Sequence, residues 1–170
     1  MIGHTMVDIE ALGNGPIKAV CQIGWCHFSL ETGEVEDAKI VNIELGSLLK
    51  AGFQVDGRTL KWWLTQSEEA RNSLFDPEPK DVREAFKEFG RDIEFGQRYV
   101  WGLPAEYDCQ TLAESFVHLG MQVPWRRKDS MCARTVQRML WLQSDRADMK
   151  PLDRVGIHHH AGWDAYNQAP

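Results

Sequence analysis

The chain has 170 residues, 43% of them hydrophobic and 26% charged, with a formal net charge of −6. That length suits one domain with a proper core and is short for two, so residues 1–170 read as a single domain. The acidic balance argues against a long basic groove, since neutralising many phosphates takes many Lys and Arg, but leaves room to grip a few nucleotides.

The first element in chain order is residues 5–10, Thr-Met-Val-Asp-Ile-Glu, a β-branched and apolar run expected as a strand. Side chains alternate along a strand, so Asp8 and Glu10 share one side while Val7 and Ile9 take the other. Two acids that close repel, and the pKa of at least one rises unless a cation lies between them. A divalent metal is the natural occupant. Residues 11–16, with Gly13, Gly15 and Pro16, mark a turn beside the acids. Residues 17–30, carrying Val20, Ile23, Trp25 and Phe28, read as a second strand and residues 34–45 as a third, together an antiparallel meander. Short helices follow between residues 46 and 75, one opening at Ser47 and one over residues 59–64. A third is started by the capping-box spacing of Thr65 and Glu68 and runs to about Phe75.

After Asp76-Pro77-Glu78-Pro79, the residues Val82, Ala85, Phe86, Phe89 and Ile93 recur at helical spacing, which predicts a long helix over about 79–95 stopped by Gly96. Tyr99-Val100-Trp101 is a short strand of the covered kind, Gly102-Leu103-Pro104 a loop, and about 105–119 a helix ended by Gly120. Asp129-Ser130 can cap a helix through Leu142; residues 143–158 read as loop and 159–170 as a short helix. Strands, helices, a strand and helices again make an α/β pattern. Cys21, Cys26, Cys109 and Cys132 form no Cys-x-x-Cys pair and read as reduced thiols. With no basic-then-apolar leader and no apolar run of the ~18 residues a membrane span needs, a cytoplasmic location is expected, in a bacterial cell or a phage-infected host.

Asp108 falls in the first turn of the helix after strand 99–101, where a carboxylate is also an ordinary helix-start residue. Near the end stands His158-His159-His160-Ala161-Gly162-Trp163-Asp164-Ala165, a spacing that lets His159 sit on a loop beside a site while Asp164 reaches in from a helix.

Taken together, Asp8-x-Glu10 on the first strand, Trp101-Gly102 followed six residues later by Asp108, and His159-x-Ala161-x-x-Asp164-Ala165 resemble the DEDDh 3′–5′ exonucleases, the RNase T-like branch of the RNase H-like superfamily. The run at residues 59–71 is similar, more narrowly, to the bacterial and phage RNase AS-like 3′–5′ exoribonucleases. The resemblance covers nearly the whole chain. It implies an α/β, RNase H-like fold with a mixed five-stranded sheet, three antiparallel strands and then parallel ones, flanked by helices. It also implies hydrolysis at the 3′ end of single-stranded RNA or DNA, releasing nucleoside 5′-monophosphates, with RNA favoured by the narrower likeness.

On the same footing, Asp8, Glu10, Asp108 and Asp164 would be metal ligands. Asp8 would bridge two Mg²⁺ or Mn²⁺ ions, Glu10 and Asp164 would complete one, and Asp108 would support the other mostly through water. Hard divalent cations with oxygen ligands would neutralise four converging carboxylates, and a pair ~4 Å apart stabilises the attacking and leaving oxygens of phosphoryl transfer. His159 would be the general base, its ordinary pKa of ~6.5 suiting neutral pH. Counting back five from Asp164 reaches it and sets Ala161 at the family's alanine, leaving His158 and His160 as bystanders. Ala11 and Leu12 would line the site of the last nucleotide, Leu12 either wedging against the base or capping the core. Trp62, Trp63 and Tyr107 are candidates for base stacking, with one of the Trp pair facing substrate. Arg126-Arg127-Lys128 either meets the phosphate backbone or is a solvated loop.

Relatives of this kind are often homodimers. A zinc-binding histidine cluster is disfavoured because His158 to His160 lack spaced partners. An RNase H-like endonuclease is the nearest rival, countered by the placed histidine; a catalytically idle nucleic-acid-binding module is the other, countered by the full set of acids. Gly162, worth up to ~1 kcal/mol against Ala in a helix, and the short stretch after Asp164 predict a third motif loose without metal or substrate.

Overall fold

The computed structural model describes residues 3–74, 78–93, 98–143 and 154–169. Strand β1 (Gly3–Ala11) pairs antiparallel with β2 (Val20–Phe28), and β2 pairs antiparallel with β3 (Lys39–Asn42). On its other edge β1 runs parallel to β4 (Arg98–Gly102), and β4 parallel to β5 (Ser130–Cys132). The order β3-β2-β1-β4-β5 is the mixed five-stranded sheet that the family resemblance implies. Around it lie α1 (Leu45–Lys50), α2 (Gly57–Trp63), α3 (Glu68–Ser73), α4 (Val82–Ile93), α5 (Asp108–His118), α6 (Ala133–Gln143) and α7 (Ala161–Gln168).

Parity along β1 decides the rest. Val7 and Ile9 face the larger core, where α4 contributes Phe86, Phe89 and Ile93 and α5 contributes Leu112 and Phe116. Burying each such side chain is worth about 1.5–3 kcal/mol. Met6 faces the opposite layer with Phe28, Trp101, Ala165 and Ala169. Asp8 and Glu10 share the parity of Met6, so both acids point to the side covered by α7.

Several boundaries differ from expectation. Residues 130–132, read as the start of a helix, instead pair with Val100, Trp101 and Gly102, and α6 begins at Ala133. A three-residue strand is too short to display an alternation. The third strand is confined to Lys39–Asn42, because Glu44 turns the chain into α1 by accepting the amides of Gly46 and Ser47. The cap of α3 is Ser67, which accepts the amide of Ala70; Thr65, the expected cap, spends its hydroxyl on the carbonyl of Trp62 at 2.6 Å. Phe75, Gly96 and most of the loop read at 143–158 lie outside the described residues. Among the described residues, no helix is long and apolar enough to cross a membrane.

Candidate active site

Asp8 and Glu10 leave β1 at the point where its pairing slips: Glu10 faces Gln22, but Ala11 faces Val20. A bulge of this sort twists the strand locally and re-aims its side chains. Opposite Asp8 in the ladder is Gly24, and a Cβ there would stand 2.0 Å from the Ala161 carbonyl carbon. Only a residue without a side chain lets the start of α7 rest on β2 at that point. Gln22 fixes the same end, accepting the Ala161 amide at 3.3 Å. His160, expected to be a bystander, is the N-cap of α7 and accepts the Trp163 amide at 3.3 Å.

With α7 seated, Asp164 meets the β1 acids: one carboxylate oxygen from each of Asp8, Glu10 and Asp164 lies within 4.8 Å of the others. Four residues on, one turn further along α7, Gln168 donates to Asp8 at 2.9 Å. Asp108, the first residue of α5, stands beside this trio rather than within it. Its carboxylate accepts the amide of Leu103 at 3.1 Å.

The electrostatics report an unneutralised cluster. Burial first, and then the negative charges of Asp108 and Glu10, hold the Asp8 carboxyl well above the usual carboxylate range. Burial, followed by Asp164 and Asp108, pushes Glu10 up to about 8. Asp108 is raised by burial to about 7, although backbone amides and Lys18 favour its charged form. Three carboxylates, Glu10 and Asp164 buried and Asp8 partly so, presenting oxygen donors at this spacing fit a hard divalent cation, which takes oxygen ligands and removes the repulsion.

The convergence is not free of basic partners. Arg154 pairs with Asp164. The buried Lys18 donates to Thr111 at 3.1 Å and lies 4.1 Å above the Tyr107 ring, beside the start of α5.

His159 has a φ of 61°, an uncommon left-handed conformation for a residue with a side chain. Its amide donates to Asp164 at 3.1 Å, and its Nδ1 lies 4.0 Å from Glu10. Burial above all, with His158 and Arg154 adding to it, lowers its pKa below the ordinary histidine value, while Asp164 works the other way. The loop holding it is tied to α7 at several points. Asn167 clasps the Val155 backbone with two 2.8 Å hydrogen bonds, and Gly156 leaves room for the Trp163 ring, which a Cβ would meet at 2.3 Å.

Next to Glu10 opens a cavity of about 440 Å³ lined in part by Ala11, Arg58, Trp62, Trp63 and Tyr107. Trp62 is 44% exposed and packs edge-on to His159, with ring centroids 4.8 Å apart. Trp63 does not offer a stacking face: it is buried, and its indole donates to the Ala11 carbonyl at 3.0 Å. Leu12 is no wedge either, since it is 2% exposed and belongs to the core. Ala11 is also buried, although it reaches the cavity wall, and Tyr107 is partly exposed over Lys18. In the basic run, Arg126 is committed to Asp129 at 2.6 Å.

Gln22, Gly24, Arg154 and Gln168 escaped the reading of the sequence. Each matters through a contact across the fold, and the chain alone carries no signal for those contacts beyond an unexplained Gly in the middle of an apolar strand.

Over 99% of the chain the structure is similar to cell-death related nuclease 4, with a TM-score of 0.60 and 12% identity, spanning 61% of that protein. It is likewise similar to the nuclease domain of 3′hExo, a DEDDh family member solved with rAMP, with a TM-score of 0.59, 14% identity and coverage of 99% of this chain and 88% of that one. The similarity to apo exonuclease I has a TM-score of 0.69 at 11% identity, covering 98% of this chain and 40% of the other. At such identities the likeness is one of fold: the mixed sheet and helices of the DEDDh exonucleases. No curated protein matches the chain. Residues 3–170 match the 3′–5′ exoribonuclease Rv2179c-like domain, and the chain belongs to that family. The domain this family describes is a hydrolase, a 3′–5′ exonuclease.

Proposed function

We propose that this domain removes nucleotides one at a time from the 3′ end of single-stranded nucleic acid, releasing nucleoside 5′-monophosphates, with two divalent cations, Mg²⁺ or Mn²⁺, in the acid cluster. The observation that carries the reading is the meeting of Asp8, Glu10 and Asp164 within 4.8 Å, with His159 beside Glu10 at the head of an aromatic-lined cavity. Asp8, Glu10 and Asp164 would hold the cations, supported by Asp108, and bound cations supply stabilisation of the charge on the attacking and leaving oxygens.

The remaining work falls to side chains. His159, neutral near pH 7 because burial lowers its pKa, accepts a proton from the attacking water at a ring nitrogen. Asp164 fixes the histidine through its amide, and Gln168 orients Asp8. Trp62 and Tyr107 offer partly exposed rings to bases, a sequence-tolerant contact because every base has a π face. Trp63 keeps the wall of the cavity in shape through Ala11. RNA is favoured over DNA by the description of the family and by the narrower RNase AS-like resemblance; the discrimination would rest on contact with the 2′-hydroxyl.

The test uses matched single-stranded RNA and DNA, labelled at the 5′ end and incubated with Mg²⁺, Mn²⁺ or EDTA. A metal-dependent ladder shortening by single nucleotides, faster on RNA, is the expected result, and Asp8→Ala should abolish it in a folded protein. Interior cuts, or an Asp8→Ala variant with an unchanged rate, would overturn the reading.

A further inference from the structure

We propose that His158, His159 and Asp164 form a second metal site, suited to a borderline transition ion such as Zn²⁺, and that filling it switches the nuclease off. The inhibitory part rests on the function proposed above; the binding part does not. One ligand atom from each of the three residues lies within 4.8 Å of the other two. Adjacent side chains in an extended chain point to opposite sides. Here the left-handed φ of His159 brings the two imidazoles together, with ring centroids 3.8 Å apart and planes tilted by 35°.

The loop that carries the two histidines is tied to α7 before any ion arrives, with the exposed His158 ring lying against that of His159. The His159 amide is bonded to Asp164, and the loop is clasped to α7 through Asn167 and Val155. That answers the objection raised by the sequence, that neighbouring histidines lack a spaced partner: α7 supplies it as Asp164. Arg154 shares Asp164, but its side chain is 50% exposed and can turn to solvent.

Two imidazoles and one carboxylate, with a fourth position open, are a ligand set that Zn²⁺ accepts readily, whereas Mg²⁺ prefers an all-oxygen set. The two kinds of ion would therefore sort between overlapping sites. Mg²⁺ belongs with Asp8, Glu10 and Asp164, and Zn²⁺ with His158, His159 and Asp164. Because Asp164 is common to both, occupation of one site empties the other of a ligand. A His159 nitrogen bound to Zn²⁺ also has no lone pair left to take a proton. His158, exposed and a ligand of the second site alone, is the residue that separates the two sites.

The experiment compares the wild type with His158→Ala, using Co²⁺ as a spectroscopic stand-in for Zn²⁺ in the presence of saturating Mg²⁺. The wild type should show the strong visible absorption of four-coordinate Co²⁺, reversed by Zn²⁺, and His158→Ala should lose it while keeping the wild-type circular dichroism. In the trimming assay Zn²⁺ should inhibit the wild type. With inhibition scored relative to each protein's own Mg²⁺-supported rate, His158→Ala should need at least ~10–100-fold more Zn²⁺ for the same fractional inhibition, the range that even an outer-shell partner of a metal is worth. An unchanged Co²⁺ spectrum in His158→Ala, or equal sensitivity to Zn²⁺, would place the ion on the carboxylates alone and overturn the proposal. Were the protein to trim no substrate at all, the Co²⁺ spectrum would still decide the binding site.

Discussion

Gly24 lies directly under the first peptide of α7: a methyl group there would stand 2.0 Å from the Ala161 carbonyl carbon and 2.2 Å from the Gly162 nitrogen. Backbone atoms on both sides leave nothing flexible to give way. Gly24→Ala must therefore lift α7 from β2, and with it Asp164. The expected cost is about 1–3 kcal/mol of overpacking, read by urea denaturation, together with a loss of trimming activity larger than the unfolded fraction explains. A variant that loses stability but keeps full activity would show that the seat of α7 does not set the site.

The acid cluster makes the metal-free protein sensitive to pH in a defined direction. Glu10 has a folded-state pKa of about 8, above the ~4.3 of an unfolded glutamate. Between those values the folded state binds more protons than the unfolded one, so stability is highest at the acidic end and is lost as pH rises toward 8. Asp8 and Asp108, both raised, act with the same sign. Melting temperatures recorded in EDTA should fall from pH 5 to pH 8, and Glu10→Gln should flatten the slope. A melting temperature that rises over this interval would contradict the shifts.

Metal binding near neutral pH should expel protons, because ligand carboxylates must ionise to coordinate. With Glu10 at about 8 and Asp108 at about 7, both are partly protonated at pH 7 without metal. Mn²⁺ titrations in two buffers of different ionisation enthalpy should yield different apparent heats, corresponding to net proton release. Identical heats would mean that the acids are already ionised.

Trp62 and Trp63 should separate cleanly. Trp63→Ala removes a buried ring and its hydrogen bond to Ala11, a loss expected to cost about 3–5 kcal/mol of stability. Trp62→Ala removes a half-exposed ring and should barely alter the melting temperature. It should instead raise KM for single strands by the equivalent of about 1–3 kcal/mol, the worth of one stacked base. Equal KM values for wild type and Trp62→Ala would remove it from the substrate path.

How much of this was legible in the sequence depends on the range of the interactions. The shared side of Asp8 and Glu10 follows from two-residue alternation alone, and the inward face of α4 from Val82, Ala85, Phe86, Phe89 and Ile93. Asp108 at the head of α5 needed only a strand, a loop and a helix in order. Other features were decided by partners far away in sequence. Ser130 to Cys132 become a strand because β4 offers an edge, Gly24 is a glycine because α7 crosses it, and Trp63 turns inward because Ala11 presents a carbonyl. Leu12 carried two readings, wedge or core, which its neighbours alone could not separate. The triple histidine read as one role and two spectators, whereas the left-handed His159 and the capping His160 give each ring a different task.

Gln168 bonds Asp8 across 160 positions of sequence, and Ala161 bonds Gln22 across 139. Closing loops of that size is entropically costly and tends to be late, whereas hairpins such as β1–β2 form from local pairing. A refolding chain would thus pair β1 with β2 before the last helix docks. Until it does, Asp164, His159 and Gln168 are elsewhere, so on the proposed function regain of activity should trail formation of the β1–β2 hairpin, and an incompletely folded molecule would spare nucleic acid.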